Sequence, residues 1–393
     1  MLVGINAQKL FVSNDYRNAG VSRFISSIVS RLPGVPGNER FLLYTNQQLR
    51  RWPGVEGPRL RLSPASFPTT SPVVRIFWEQ SLMPVLALRD RVDVLHCPLN
   101  VQPVLGTRPV VLTIHDLSFI RFPERFSRVK QRYLVTLTRY SARRARRILT
   151  DSAATRDDVI AAFGIPPERV DVVYGACDPD FKPVDRSDSL ELAELEAFRR
   201  RHGLPERVIL YLATLEPRKN VDRLVHAYAE LVRRGFPHSL VLAGGKGWGY
   251  ERIFQAIEQH GLRDRVILPG YVSREEQPRW YNAADLFVYP SQYEGFGLPP
   301  LEAMACGIPV VTSNASSLPE VVGSAGKTVN VDDVKALADA MAAVLSDPAE
   351  AARMRDEGLQ RAGTFTWEAA AARCVAAYRA AGGGAPLGQL ARA

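Results

Sequence analysis

Cysteine is scarce. The four present (Cys97, Cys177, Cys306, Cys374) lie far apart, with no C-x-x-C pair. This excludes a disulfide scaffold and a cysteine-rich zinc site, and it suits a reducing compartment. No apolar stretch approaches the roughly 18 residues that span a bilayer. The opening Met-Leu-Val-Gly-Ile-Asn-Ala lacks the basic and apolar regions of a signal peptide. A cytoplasmic protein is therefore expected. There is no G-x-S-x-G or Cys/His nucleophile signature. Gly244, Gly245, Gly247 and Gly249 are dense but do not space as G-x-G-x-x-G, so a plain turn and a ligand-side strand end both stay open. Gly326-Lys327-Thr328 has the end of a P-loop, but Val321 stands where that loop needs glycine. His115-Asp116 has no second histidine at metal spacing, and Asp178-Pro179-Asp180 sits in a proline-rich joint. No bound metal is expected.

What is present is an ordinary globular mixture: 393 residues, 46% hydrophobic, 23% charged and 9% aromatic. That length suggests two or three domains with large cores. Charge is uneven. Residues 1–181 hold 25 basic and 15 acidic side chains, net +10, and the remainder is close to neutral. Ten basic residues fall within 121–147, opposed by Glu124 alone. Such a stretch is either a solvated helix face or a contact for phosphate-rich partners. A pI near 9.5 raises nucleic acid as a rival partner class. No RRM, KH, zinc-finger or helix-turn-helix pattern supports it, so none is expected.

Apolar runs alternate with amphipathic stretches. Strands are expected at 2–6, 41–45, 92–96, 109–114, 147–150 and 170–174, with helices at 20–32, 73–90, 128–146 and 152–163, the last capped by Ser152. The alternation restarts near residue 207. Strands follow at 207–213, 239–243, 265–269, 285–289 and 308–312, and the chain ends in helices. The pattern predicts an α/β protein of two doubly wound parallel sheets, facing across a cleft. The expected division is a first domain over 1–181, a linker region at 182–206, a second domain over 207–364, a helix at 365–381 and a tail at 382–393.

Four segments carry chemistry. The first is DLFVYPSQYEGFGLPPLEAMACGIPVVTSNASSLPE (285–320). A buried strand enters a loop that opens a helix at Leu298. Gly295 and Gly297 permit close backbone approach. The helix start, with its dipole, suits a diphosphate. Glu294 and Glu302 flank it, one suited to sugar hydroxyls and one to ribose hydroxyls. The second is YLATLEPRKN (211–220), where Arg218 and Lys219 would hold charge on a leaving phosphate. The third is His115, at the ligand-bearing end of its strand and able to hydrogen-bond a substrate hydroxyl. The fourth is Asn18-Ala19-Gly20-Val21-Ser22-Arg23, a loop before a helix and a second anion cradle.

In this order the segments resemble the GT-B glycosyltransferases of family 4, the retaining group with an E-x7-E motif, here Glu294…Glu302. The resemblance implies two Rossmann-like domains, with the donor held mainly by the second. It implies that Arg218 and Lys219 hold the diphosphate, that Glu294 and His115 contact the donor sugar, and that Glu302 contacts the ribose. Gly20 would approach the phosphate. Gly295, Phe296, Gly297 and Leu298 would line the donor, and backbone near Gly270–Val272 would touch the base. The stretch from Phe365 resembles a helix that returns to the first domain. Many relatives have two glycines where this chain has Ala19-Gly20. The family needs no bound metal, and a phosphorylase-type relative would need a pyridoxal-binding lysine for which no candidate is evident. The co-substrate implied is a nucleotide diphosphate sugar. HDLSFIRFPERF (115–126) resembles mannosyltransferases that use GDP-mannose to build surface polysaccharides, although UDP-sugar users carry similar strings. The implied acceptor is a glycan or lipid-linked glycan. Residues 126–140 suit either an interfacial helix on the anionic inner face of a membrane or an amphipathic helix packed on the sheet.

Overall fold

The β-strands expected from the apolar runs form two separate parallel sheets in a computed structural model, which describes residues 1–11 and 20–383. Asn18 and Ala19 of the first loop, and the tail from residue 384, lie outside the described residues. The first sheet contains β1 (Leu2–Ala7), β2 (Arg40–Thr45), β3 (Leu60–Pro64), β4 (Val94–Cys97), β5 (Val110–Ile114), β6 (Arg147–Thr150) and β7 (Val170–Val172), in the order β3-β2-β1-β4-β5-β6-β7. The second contains β8 (Val208–Leu212), β9 (Ser239–Ala243), β10 (Val266–Gly270), β11 (Leu286–Tyr289), β12 (Val310–Ser313) and β13 (Lys327–Val329), in the order β10-β9-β8-β11-β12-β13. All pairings are parallel. Central strands such as β5, β8 and β11 are wholly buried, as sheets covered on both faces require. Each order reverses once, between β1 and β4 and between β8 and β11. Such switch points leave a crevice at the carboxyl ends of the strands.

The chain divides into Met1–Gly175 plus the segment from Thr366, and Ala176–Phe365. This differs from the expected boundaries in two places. Residues 176–181, expected in the first domain, and 182–206, expected as a linker, pack into the second unit. Phe181 meets Tyr281 edge to face at 5.9 Å, Val184 donates its N–H to Asn282, and Phe198 of the Ser189–Arg201 helix meets Trp280 at 5.2 Å. At the far end Phe365 lies against Phe296 within the second unit, and the crossing falls after it. The Trp367–Ala381 helix belongs to the first unit. Its Trp367 ring lies edge-on to Phe24, and its Tyr378 hydroxyl meets His96 Nδ1 at 2.9 Å.

Local signals explain most helices. Ser152 accepts from the Thr155 N–H at 3.0 Å and opens Ala153–Phe163, which Gly164 ends in a left-handed conformation. The helix expected as one piece over 73–90 is broken into Pro72–Phe77, a π-type turn Trp78–Leu82, and Met83–Arg89. Pro84 lacks the N–H that would continue the ladder. Strands β3 and β13 were not expected. Their sequences, LRLSP and KTV, carry too few apolar residues to show as runs.

Candidate active site

The loops after β8 and β11 meet at the switch point of the second sheet. After β8, a short turn Pro217–Lys219 presents two adjacent cations, and Asn220, in a left-handed conformation, starts the Val221–Arg233 helix. The glycine-dense segment 244–249 packs against this loop. A Cβ at Gly244 would lie 1.9 Å from the Ala213 carbonyl oxygen, and one at Gly247 would lie 2.8 Å from that of Leu215. The glycines there serve backbone-to-backbone packing that holds the cationic turn.

After β11, the loop carrying Glu294 is pinned from both sides. Gln292 donates its N–H to the Arg218 carbonyl at 2.9 Å. Ser316 and Ser317 donate to the Glu294 carbonyl at 2.7 and 3.0 Å. The result is a buried ionic cluster. Lys219 Nζ lies 2.5 Å from Glu294 Oε1 and 2.6 Å from the Tyr289 hydroxyl, which donates in turn to Glu294 Oε1 at 3.1 Å. Arg218 reaches Glu294 Oε2 at 3.4 Å, and through Nε and Nη2 it grips Glu216 Oε1 at 3.2 and 3.0 Å. Arg218, Lys219, Glu216 and Glu294 are each at most 8% exposed. Two cations face two carboxylates, so the cluster is close to neutral. Burial would raise the Glu294 carboxyl, but the Lys219 and Arg218 charges outweigh it and hold the group down at about 2. Burial lowers Lys219, against the pull of Glu294.

The Leu298–Ala305 helix begins at Gly297, whose φ is 116°. A Cβ there would lie 2.8 Å from Leu318 Cδ2, so both conformation and space require glycine. The expected row of free amides is shorter than the helix start suggests. Pro299 and Pro300 carry no N–H, which leaves Gly297 and Leu298 as the first-turn donors.

Glu302, expected to face a cleft, is only 3% exposed and lies in a second cluster. Arg274 Nη1 donates to its Oε1 at 2.8 Å, and the Tyr281 hydroxyl donates to its Oε2 at 3.0 Å. Asp178 joins the same arginine. Among the described residues, no group of three or more His, Cys, Asp or Glu is placed to hold a metal ion. Gly270 ends β10 with φ 81°, its carbonyl taken by the Gly244 N–H, and Val272 is buried.

In the first unit, Gly20 caps the Val21–Val29 helix with φ 56°, and among the described residues no atom lies within 4 Å of a Cβ placed on it. His115 follows β5. Both ring nitrogens are engaged, Nδ1 with Asp151 Oδ2 and Nε2 with the Pro98 carbonyl, each at 2.9 Å. Burial lowers its pKa, but the Asp151 charge and both hydrogen bonds outweigh this and raise it. A substrate hydroxyl would compete with these partners for the ring. The Arg128–Arg144 helix buries only Thr138, Ser141 and Ala142. Arg121 pairs with Asp158, Arg147 pairs with Asp171, and Arg144 reaches the Gly106 carbonyl, so part of the basic stretch is spent on the fold.

Sequence reading singled out Arg218, Lys219 and Glu294, which the structure brings together. It did not single out Glu216, Tyr289, Arg274, Tyr281 or the serines. Only Ser316-Ser317 had a local signal, as small polar residues just before a helix.

Residues 20–181 match the family described as Glycosyltransferase Family 4, and residues 194–361 match Glycosyl transferases group 1. The O-antigen chain mannosyltransferase B of Escherichia coli is 36% identical over 296 residues, 75% of this chain and 76% of that protein. The serotype-specific mannosyltransferase WbdA of the same species is 35% identical over 266 residues, 65% of this chain but 32% of that protein, so the chain spans about a third of it. Among solved structures, the sucrose-phosphate synthase of Thermosynechococcus elongatus superposes with a TM-score of 0.73 at 21% identity, covering 96% of this chain and 98% of that one. The chain belongs to glycosyltransferase family 4, has the GT-B fold, and is a glycosyltransferase.

Proposed function

We propose that the protein transfers a hexose, mannose in first place, from a nucleotide diphosphate sugar to a glycan or lipid-linked acceptor, with retention and without a metal. The buried Arg218–Lys219–Glu294 cluster at the switch point carries the reading. In the proposed front-face step, the acceptor oxygen bonds to the anomeric carbon on the side from which the diphosphate leaves. The carbon–phosphate-oxygen bond breaks, and the acceptor proton passes to a leaving-phosphate oxygen. Arg218 and Lys219 stabilise the departing charge from a water-poor site, where fixed charges act most strongly. Glu294 orients both cations and is available to sugar hydroxyls. Mannose is favoured because the O-antigen chain and WbdA relatives are mannosyltransferases. A thermal-shift panel of GDP, UDP, ADP and their sugar conjugates, with and without EDTA, tests this reading. A shift with GDP and GDP-mannose, untouched by EDTA, is expected. A UDP-selective shift replaces the donor but keeps the chemistry. No shift with any nucleotide overturns the reading.

A lipid-linked acceptor brings an anionic membrane surface into the proposal. The support comes from a different helix than 126–140. Val73, Phe77, Val85 and Leu88, 77%, 60%, 59% and 47% exposed, recur along one stripe of 72–89, and Leu105 is 82% exposed. Val104 donates its N–H to Gln80 Oε1 at 3.0 Å, which ties the Leu105 loop to the Trp78–Leu82 turn of that segment. With Arg128, Lys130, Arg132 and Arg139 exposed on the same unit, the surface combines apolar side chains with cations. Co-sedimentation with phosphatidylglycerol vesicles, and not with phosphatidylcholine vesicles, is expected. It should weaken in high salt and in a Phe77→Ser/Leu105→Ser variant. Absence of binding to either vesicle removes the membrane contact.

A further inference from the structure

The His115 ring is held between two atoms that can only accept. Its Nδ1 lies 2.9 Å from Asp151 Oδ2, and its Nε2 lies 2.9 Å from the Pro98 carbonyl oxygen. A neutral imidazole has one N–H and one lone pair. With its proton on Nδ1, it would aim the Nε2 lone pair at the carbonyl oxygen. With its proton on Nε2, it would aim the Nδ1 lone pair at the carboxylate. Only a ring protonated at both nitrogens satisfies both contacts while Asp151 is ionised. The proton between ring and carboxyl belongs with the more basic group, and the ordinary values are 6.5 for the ring and 3.8 for the carboxyl.

Asp151 follows β6, and among the described residues its other oxygen, Oδ1, is buried without a hydrogen-bond partner. Its side chain is therefore committed to His115. Three further titratable groups surround the pair. Asp116, next in the chain, adds negative charge that also raises the ring. His96 of β4 is neutral, with its pKa pushed down to about 3, and burial keeps the Cys374 thiol of the returning helix protonated. Phe24 of the Val21–Val29 helix packs edge-on at 5.2 Å and brings no charge. The His115 side chain is 13% exposed, so part of the ring stays open to a ligand.

We propose that Asp151 is a positioning residue that holds His115 as an imidazolium, so that the ring meets the donor only by giving an N–H to one of its oxygens. This rests on the reading of the protein as a transferase that uses a nucleotide diphosphate sugar. A neutral histidine can give a hydrogen bond to a hydroxyl or take one from it, whereas an imidazolium can only give. The incoming oxygen takes the Nε2–H from the Pro98 carbonyl, and a charged donor makes the stronger bond. Asp151 keeps the charge in place throughout, because its contact is on the other nitrogen.

The test begins with nitrogen-15 NMR of the full chain carrying labelled histidine, the His115 signals being identified by their loss in His115→Gln. At neutral pH both ring nitrogens of the wild type are expected to carry protons, and the ring should titrate above its ordinary 6.5. Asp151→Asn keeps the shape and removes the charge: its amide can donate to Nδ1 while the Nε2–H still reaches Pro98. In that variant the ring should carry one proton at neutral pH and titrate below 6.5, because burial then dominates. With the donor identified by thermal shift, kcat/KM of the variant should fall about tenfold near about pH 8, since each unit of lost pKa lowers the charged fraction tenfold there. It should recover toward wild type as the pH is lowered. A loss of the same size at every pH is a merely structural role and overturns the proposal. So does a wild-type ring whose Nδ1 is bare at neutral pH, an outcome read without substrate. A wild type that transfers sugar with a neutral ring overturns this proposal alone. A doubly protonated ring in a protein that transfers from no nucleotide sugar overturns the transferase reading, and with it the role of the ring.

Discussion

Glu294 is buried against two cations and a tyrosine hydroxyl, and its low pKa makes it a source of stability as well as chemistry. Because the folded value, about 2, lies below the ordinary 4.5, its stabilisation is complete above the unfolded value and is lost as pH falls toward 2. Glu294→Gln cannot titrate. The stability gap between wild type and this variant in urea should therefore shrink between about pH 5 and pH 2. A gap that stays constant would mean that the carboxylate gains nothing from its cations. The same variant should lose sugar transfer more than nucleotide affinity. Lys219→Ala should lower kcat by on the order of 10²–10³, the cost of removing one charge-stabilising donor at other sites. A loss below threefold, with the fold intact by circular dichroism, would remove Lys219 from that role.

At the scale of elements, the Leu298–Ala305 helix start depends on one glycine. Gly297→Ala introduces a side chain at φ 116° and a Cβ within 2.8 Å of Leu318. A destabilisation of about 1–3 kcal/mol in chemical denaturation is expected, with donor binding falling alongside. Wild-type stability would show that the loop readily finds another path. This segment was legible in the sequence because glycine and proline punctuate it, and because β8 and β11 are uninterrupted apolar runs. Arg218, Lys219 and Glu294 were found for the same reason, since each sits where a strand ends. Other parts left no local trace. Arg274 and Asp178 are 96 residues apart, and Arg218 and Glu294 are 76 apart. No periodicity reports such pairings. Glu302 shows the limit in another way. Helical spacing places it near the site, but only the packed Tyr281 and Arg274 show that its oxygens are already committed.

For the whole molecule, the connectivity that spacing could not settle is where the chain leaves one unit and enters the other. The Trp367–Ala381 helix is far in sequence from the sheet of its own unit, yet it buries Trp367, Cys374, Val375 and Tyr378 there. Fully burying a large side chain is worth about 1.5–3 kcal/mol. Trp367, Val375 and Tyr378 alone bring this to a sizeable part of the ~5–15 kcal/mol that holds a whole domain. Polar links add to this. Thr366 caps the helix by accepting from the Ala369 N–H, Arg31 pairs with Glu368, and Arg379 pairs with Glu39. The Tyr378 hydroxyl meets His96 Nδ1, while His96 Nε2 meets Thr113 Oγ1 at 2.8 Å, and burial pushes the His96 pKa down to about 3. The ring is neutral, so it donates through one nitrogen and accepts through the other. Trp367 also touches Phe24, which touches His115, so the helix supports the ring proposed to meet the donor sugar. A chain ending at Phe365 should therefore keep a protected second unit and lose protection throughout the first, read by hydrogen exchange of peptides from β4, β5 and β6 against β8, β11 and β12. Tyr378→Phe keeps the ring and removes only its hydroxyl. It should cost about 1–2 kcal/mol and leave the first unit folded. Equal protection of both units in the truncated chain would show that the first sheet closes its core without the returning helix.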